Sequence, residues 1–339
     1  MPSERSLPGS ARRPPTGRGL EWLNLIAVLA ALAASTLLAL RTTRGSTGLS
    51  LPPGSALPTP EESLLLANGG QALTDAGGQL IPLGPYRRIA SGSSLADPIL
   101  LELCAPDEVV SFSARAGDAP DSHRYAGKPS IDARRLEALL GVHPDLVLVN
   151  SLGDHTWVQK LRDAGLRVFD LGPMRGLETF AGNVLAVGWL VGRLEAARFL
   201  ERQFRERLAA VARPVPPAAR QGGLYLGVHG NQLFGGTRGT SYHDVLTFAG
   251  LIDVAARDYQ GWPSFAPEQL LAFDPERIVT QLGMGAALCQ RAELGRLRAC
   301  TQHGGVIELD GRLLSDPGFG MLEASEAVQR AAYPTERAP

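Results

Sequence analysis

Lysine is almost missing from this sequence. Lys128 and Lys160 are the only two among 33 basic side chains, so arginine carries nearly all the positive charge. Basic and acidic residues nearly cancel at a net charge of −1, which argues against nucleic acid as the main partner. Aromatic residues make up only 6% of the chain, and cysteine occurs three times. Catalytic signatures are scarce as well. There is no Gly-x-Ser-x-Gly nucleophile elbow, no His-Glu-x-x-His pair and no phosphate loop ending in Gly-Lys-Ser/Thr. Gly283 and Gly285 hint at a dinucleotide-binding turn, but Leu288 fills the third glycine position, so a plain strand-to-helix turn is expected. The six histidines are scattered, with no close pair on a helix face. No dedicated zinc site and no resident cofactor are therefore expected, although His155, His229 and His243 lie where a fold could bring them together.

Length and hydrophobicity set the positive side. The chain has 339 residues, 44% of them apolar, enough for two domains of ordinary size. Four arginines (Arg5, Arg12, Arg13, Arg18) precede an apolar run over residues 25–40, which extends back to Leu20 if Glu21 and Asn24 are tolerated. This reads as a membrane anchor or an export signal with a cytoplasmic N-terminus. The Gly-, Ser-, Thr- and Pro-rich stretch 45–60 reads as a flexible tether. Cys104 ends an apolar run and is expected to be buried. Cys289 and Cys300 can pair in an oxidising compartment, but not if one unbroken helix holds both about 16 Å apart. Gly295 could break that helix, and both outcomes stay open.

The stretch 176–211 organises the rest. Leu177, Phe180, Val184, Val187, Val191, Leu194, Leu200, Phe204, Leu208 and Val211 recur at helical spacing with no proline among them. The spacing predicts one helix roughly 54 Å long, stopped by Pro214, Pro216 and Pro217. Similar phrases flank it: Glu137 stands seven residues before Pro144, and Glu268 seven before Pro275.

Elsewhere, residues 72–83 read as a hairpin with a Gly77-Gly78 turn. Residues 88–91, 107–112, 146–149 and 166–171 read as strands. Between them lie helices capped by Ser94, Asp132 and Asp154. Residues 223–228, 277–281 and 305–309 repeat the plan, with helices from Thr240 or Ser241 to Ala249, from Pro267 to Ala272, over most of 286–298, and over 320–332. A glycine-rich loop, 230–239, is expected after the first of these strands. The alternation predicts an α/β fold of two Rossmann-like lobes joined by a single long helix, with a ligand cleft between the lobes. Its expected divisions are a basic N-terminus 1–19, an anchor or signal 20–40, a linker 41–70, a first lobe 71–175, the connecting helix 176–212 and a second lobe 213–337.

The few aromatics gather in second-lobe loops: Phe234, Tyr259, Trp262, Phe265 and Phe319. Large apolar side chains beyond strand ends suit a ligand crevice. Trp262 is the foremost candidate, with Phe234 and Tyr259 beside it. In the first lobe the candidates are Ser93, Arg115, Asn150 and His155.

These features together resemble the helical-backbone substrate-binding proteins of ABC importers for cobalamin, haem and ferric siderophores. The resemblance covers about residues 71–335. It rests on the Thr74-Asp-Ala-Gly-Gly hairpin with Arg88-Ile-Ala-Ser, on Leu136-Glu…Pro144-Asp-Leu-Val, on the long helix, on Phe248-Ala-Gly-Leu, and on Trp262-Pro…Glu268-Gln-Leu-Leu…Asp274-Pro. It implies a non-enzymatic protein outside the cytoplasm that carries a metal chelate or corrinoid to ABC permease and ATPase subunits and closes only slightly on its ligand. It also implies that Glu137 and Glu268 dock onto permease arginines, and that Phe234, Trp262 and Asp316 face the ligand, Asp316 as a rim acceptor. Ser113-Ala-Arg115 replaces the tyrosine-rich loop of cobalamin-binding members, and an arginine there suits an anionic ligand. The competing readings are an enzyme acting on a metal chelate on the same fold, and a surface adhesion or signalling module that has lost transport.

Overall fold

A computed structural model describes residues 64–65, 71–119, 122–151 and 154–334. The expected anchor at 20–40 lies outside the described residues. The described part opens with an antiparallel sheet of β1 (Leu64–Leu65), β2 (Gln71–Thr74) and β3 (Leu80–Pro82). Gly78 turns the β2–β3 hairpin at φ 79°, and the Asp75 carboxylate accepts the N–H groups of Gly77 and Gln79. Strand β1 falls inside the expected linker 41–70 and pairs with β2.

The first lobe is built on β4 (Ile89–Ser91), β5 (Val109–Ser113), β6 (Ser130–Ile131), β7 (Leu146–Val149) and β8 (Val168–Asp170). All run parallel in the order β6-β5-β4-β7-β8. Its helices are α1 (Asp97–Leu103), α2 (Leu136–Gly141) and α3 (His155–Asp163). Alternation along β7 shows why its residues are all apolar. Leu146 and Leu148 enter the core shared with the rest of the molecule, while Val147 and Val149 pack beneath Val158 and Leu161 of α3.

Two helix starts differ from expectation. Ser94 does not cap α1; Ser93 Oγ instead accepts from Leu95 N, and the helix begins at Asp97. Asp132 accepts from Arg134 N in a local turn, which delays α2 to Leu136. Asp154 does cap α3, through Thr156 N.

The expected continuous helix over 176–212 is instead a hairpin of α4 (Leu177–Leu190) and α5 (Leu194–Ala212). Gly192 takes the left-handed conformation, φ 73°, and Arg193 N donates back to Gly188 O. The helices then run antiparallel. A Cβ at Gly188 would lie 2.2 Å from that of Ala197, so a glycine is what permits this close crossing. Near the other end Phe180 packs edge-on against Phe204, and Glu178 pairs with Arg205 at 2.7 Å.

The second lobe follows with β9 (Gly222–Tyr225), β10 (Gly227–His229), β11 (Gln232–Phe234), α6 (Ser241–Phe248), β12 (Ile252–Asp253), β13 (Ser264–Phe265), α7 (Pro267–Phe273), β14 (Arg277–Gln281), α8 (Gly285–Cys289), α9 (Arg298–Thr301), β15 (Val306–Leu309), α10 (Gly311–Leu314) and α11 (Gly320–Ala332). Strands β12-β9-β14-β15 form a parallel sheet, and β10-β11-β13 an antiparallel one. The strand expected over 223–228 therefore splits between two sheets, and the expected glycine-rich loop is largely the β10–β11 hairpin. Glycines occur there because rings lie over the backbone: Phe234 covers Gly227, and Phe265 covers Gly235. The helix expected over most of 286–298 is confined to the short α8 before a run of turns. Those turns bring Cys289 and Cys300 to a Cα separation of 5.3 Å, and the two form a disulfide.

One apolar cluster joins both lobes. It includes Ile89, Leu146 and Phe169 from the first sheet and Phe180, Leu190, Phe204 and Leu208 from the hairpin. Tyr225, Val279 and Ile307 of the second sheet and Met321 and Val328 of α11 complete it. The far face of the second sheet has its own cluster around Leu224, Ile278 and Leu288.

The lobes also repeat a detail at α2 and α7. Glu137 and Glu268 stand exposed in the first turns, with Leu140 and Leu271 exposed three residues later. After each helix comes a residue with positive φ, His143 at 45° and Asp274 at 37°. Such a conformation costs a side-chain-bearing residue on the order of 1 kcal/mol. An arginine steadies each one: Arg88 donates to the carbonyls of Val142 and His143, and Arg298 to the carbonyl and carboxylate of Asp274.

Candidate functional site

Four strands of the first sheet end side by side, and the segments leaving them line a cavity of about 420 Å³. Residues 92–95 follow β4, 113–115 follow β5, 131–134 close β6, and Asn150 follows β7. The chain crosses from one side of β4 to the other here, which opens a crevice at the carboxyl ends of the strands. Of the first-lobe candidates, Ser93, Arg115 and Asn150 meet in this cavity.

The charged side chains of its lining are Arg115, Arg134 and Asp132. Arg115 and Arg134 are largely exposed, and each is only loosely paired, with Asp118 at 3.8 Å and Asp154 at 3.9 Å. Arg134 also lies 5.7 Å from the centre of the Trp157 ring. Under the floor, the buried Asp97 carboxyl accepts from Ser113 Oγ at 2.6 Å and from Ser113 N at 3.1 Å. Burial pushes this carboxyl above its ordinary pKa, against the hydrogen bonds from Ser113 and Ser91.

Asn150 ties this cavity to the neighbouring strand end. Its Nδ2 donates to Gly172 O, beyond β8, at 2.6 Å, and its Oδ1 is buried without a partner. The fully buried Asp170 accepts at Oδ1 from Ser151 N and Gly172 N. Its Oδ2 lies 3.3 Å from His155 Nδ1, which places His155 beside the cavity loops and not in their lining. The three histidines that a fold could have gathered do not form a cluster. His155 faces Asp170, His243 faces Asp253 at 2.8 Å, and His229 is exposed at the end of β10. No group of three metal-ligating side chains occurs among the described residues.

Trp262 of the second lobe is 49% exposed, and the Arg175 guanidinium lies 5.6 Å from its ring centre. Phe234 is half-buried, edge-on to Tyr225 over Gly227. Two candidates are engaged elsewhere. Tyr259 packs edge-on against Phe265 and Phe273, and its hydroxyl accepts from Gln269 Nε2 at 2.6 Å, so it belongs to the core of the lobe. Asp316 is no rim acceptor: Oδ1 accepts from Gly318 N and Oδ2 from Gly320 N, which shapes the turn into α11. Burial raises its pKa.

Sequence reasoning missed Arg134 and Arg175. Leu282, just beyond β14, is 66% exposed at the carboxyl end of the second sheet. The short strand β6 carries Arg134 to the cavity, and its two residues offered too little pattern to mark a strand end.

A family model for periplasmic binding proteins matches residues 89–313. A cobalamin-binding protein of Halobacterium salinarum is 24% identical over 262 residues, covering 73% of this chain and 70% of that protein. Among solved structures, a possible iron-binding periplasmic solute-binding protein from Staphylococcus epidermidis aligns with a TM-score of 0.65 at 20% identity, covering 74% of this chain and 100% of that one. The periplasmic haem-binding protein HutB of Vibrio cholerae aligns with a TM-score of 0.62 at 19% identity, over 74% and 100% of the two chains. The structural likenesses speak for the fold alone, but the family match spans about two thirds of the sequence and both parallel sheets. The chain belongs to the periplasmic binding protein family.

Proposed function

We propose that this protein is the extracytoplasmic ligand-binding component of an ABC importer for a metal chelate or corrinoid. It acts by binding and not by turnover. The observation that carries the reading is the cavity at four parallel strand ends, open and flanked by two loosely paired arginines. Its volume, about 420 Å³, lies within the range of small-molecule sites and suits part of a large ligand that a second lobe completes. Ser93, Arg115 and Asn150 supply polar contacts from the first lobe, and Trp262 with Phe234 supplies apolar area from the second. The Cys289–Cys300 disulfide accords with an oxidising compartment. The names of the relatives, a cobalamin-binding protein and haem- and iron-binding proteins, support the ligand class. Glu137 and Glu268 dock the loaded protein onto the permease, and residues 20–40 hold it at the membrane.

The test is visible absorption and native mass spectrometry of protein purified from its own host, followed by titration with haemin, cyanocobalamin and a ferric hydroxamate. A saturable spectral change with one of them, abolished by blocking the cleft, is expected. Indifference to all three sinks the ligand class.

A further inference from the structure

The Arg175 guanidinium lies 5.6 Å from the ring centre of the expected ligand tryptophan, Trp262. The Arg175 backbone is fixed on both sides. Arg175 N donates to Thr179 Oγ1 at 2.8 Å, and Arg175 O accepts from Ser241 N of the second lobe. The side chain is not fixed in the same way. Its guanidinium lies on the Trp262 ring and forms no hydrogen bond or ion pair among the described residues. Five N–H donors of a group that is always charged are therefore left over, beside an exposed indole.

The position is also continuous with the cavity. Asn150 lines the cavity and is bonded to Gly172 O. Residues 172–175 then carry the chain from the carboxyl end of β8 to Arg175 and Trp262. A ligand that reaches Trp262 comes close to this guanidinium, which lies 5.6 Å from the ring centre.

We infer that Arg175 is a specificity-determining residue that holds an acidic group of the ligand beside Trp262. The cation–π contact with Trp262 keeps the guanidinium beside the indole, and its unpaired N–H donors are left to meet a carboxylate or phosphate. The inference rests on the proposed chelate-binding role and narrows it to anionic chelates.

The experiment compares haemin, which carries two carboxylates, with its dimethyl ester, on the full chain and on Arg175→Gln. Wild type is expected to prefer haemin by about tenfold, a preference that fades as salt is raised. Arg175→Gln should lose most of that preference and of its salt dependence, the remainder coming from Arg115 and Arg134, while binding the ester as wild type does and melting at the same temperature. Equal binding of the two probes by wild type, or equal loss of both in the variant, overturns the role of Arg175 while leaving chelate binding intact. Binding of neither probe by wild type, with cyanocobalamin and a ferric hydroxamate also refused, overturns the chelate reading together with this inference.

Discussion

Glu108, at the entry to β5, shows how one carboxylate serves several elements. It accepts from Ala105 N, from Arg87 at 2.8 Å and from Arg193 at 2.5 Å, and Arg193 sits in the turn between α4 and α5. Burial acts to raise its pKa, but the bonds from Ala105 and Arg193, with the charges of Arg193 and Arg87, outweigh it and hold the carboxyl below its ordinary 4.5. A lowered carboxyl stabilises the fold above its unfolded pKa, and that contribution is lost as pH falls through the folded value. Glu108→Gln should therefore cost about 2 kcal/mol at neutral pH. Thermal melts of both proteins from neutral pH to pH 3 should show the gap closing below about 4.5. A gap that stays constant with pH would mean that the residue acts through shape and not charge. Residue identity alone gave a partial view of the site. Tyr259 and Trp262 lie in the same loop with similar chemistry. Only packing separates them, because Tyr259 finds Phe265, Phe273 and Gln269, while Trp262 is held out between Gly261 and Pro263. Asp316 was misread for a related reason: the two glycines that bond its carboxylate stand two and four residues later, a turn signal that its chemistry as an acceptor concealed.

The helical hairpin poses the same problem at the scale of an element. Its apolar spacing was legible as helical, and the structure buries one face of each helix, with Phe180, Val184 and Val187 on α4 and Phe204 and Leu208 on α5. What spacing could not show was the reversal, because the apolar rows of α4 and α5 continue in register across Gly192. The absence of proline implies continuity, yet a single glycine at positive φ ends a helix as effectively. The strands were more legible. β7 and β14 carry apolar residues on both faces, and burial on both faces is the condition that writes such runs into a sequence. The hairpin also yields a test of close packing. Gly188→Ala should destabilise by about 2 kcal/mol, since the new methyl meets that of Ala197. Adding Ala197→Gly should restore most of the loss after allowance for its own helix propensity of about 1 kcal/mol. Urea denaturation of the two single variants and the double variant would show this coupling; strict additivity would place the crossing elsewhere.

For the whole molecule, the repetition between lobes was legible from two phrases that share a seven-residue offset, and the structure adds details no alignment of phrases displays. Each phrase encodes a short helix with an exposed glutamate, an exposed leucine and a positive-φ stop held by an arginine. Such costly backbone repeated in two lobes accords with selection for a fixed surface. Replacing Glu137 and Glu268 together with alanine should leave ligand affinity and melting temperature unchanged and abolish permease-stimulated transport in reconstituted vesicles. Full transport by the double variant would remove these helices from the docking scheme. The larger part of the site was not legible, because it is assembled from the ends of strands whose order, β6-β5-β4-β7-β8, is set by pairing and not by sequence position.

The two arginine-held stops have a mechanical consequence. Because neither α2 nor α7 is free to swing on its own lobe, the gap between Glu137 and Glu268 is governed by the angle between the lobes. A partner that grips both points therefore behaves like the jaws of a calliper. On the proposed docking role, it would read an occupied cleft as a length, without touching the cargo inside.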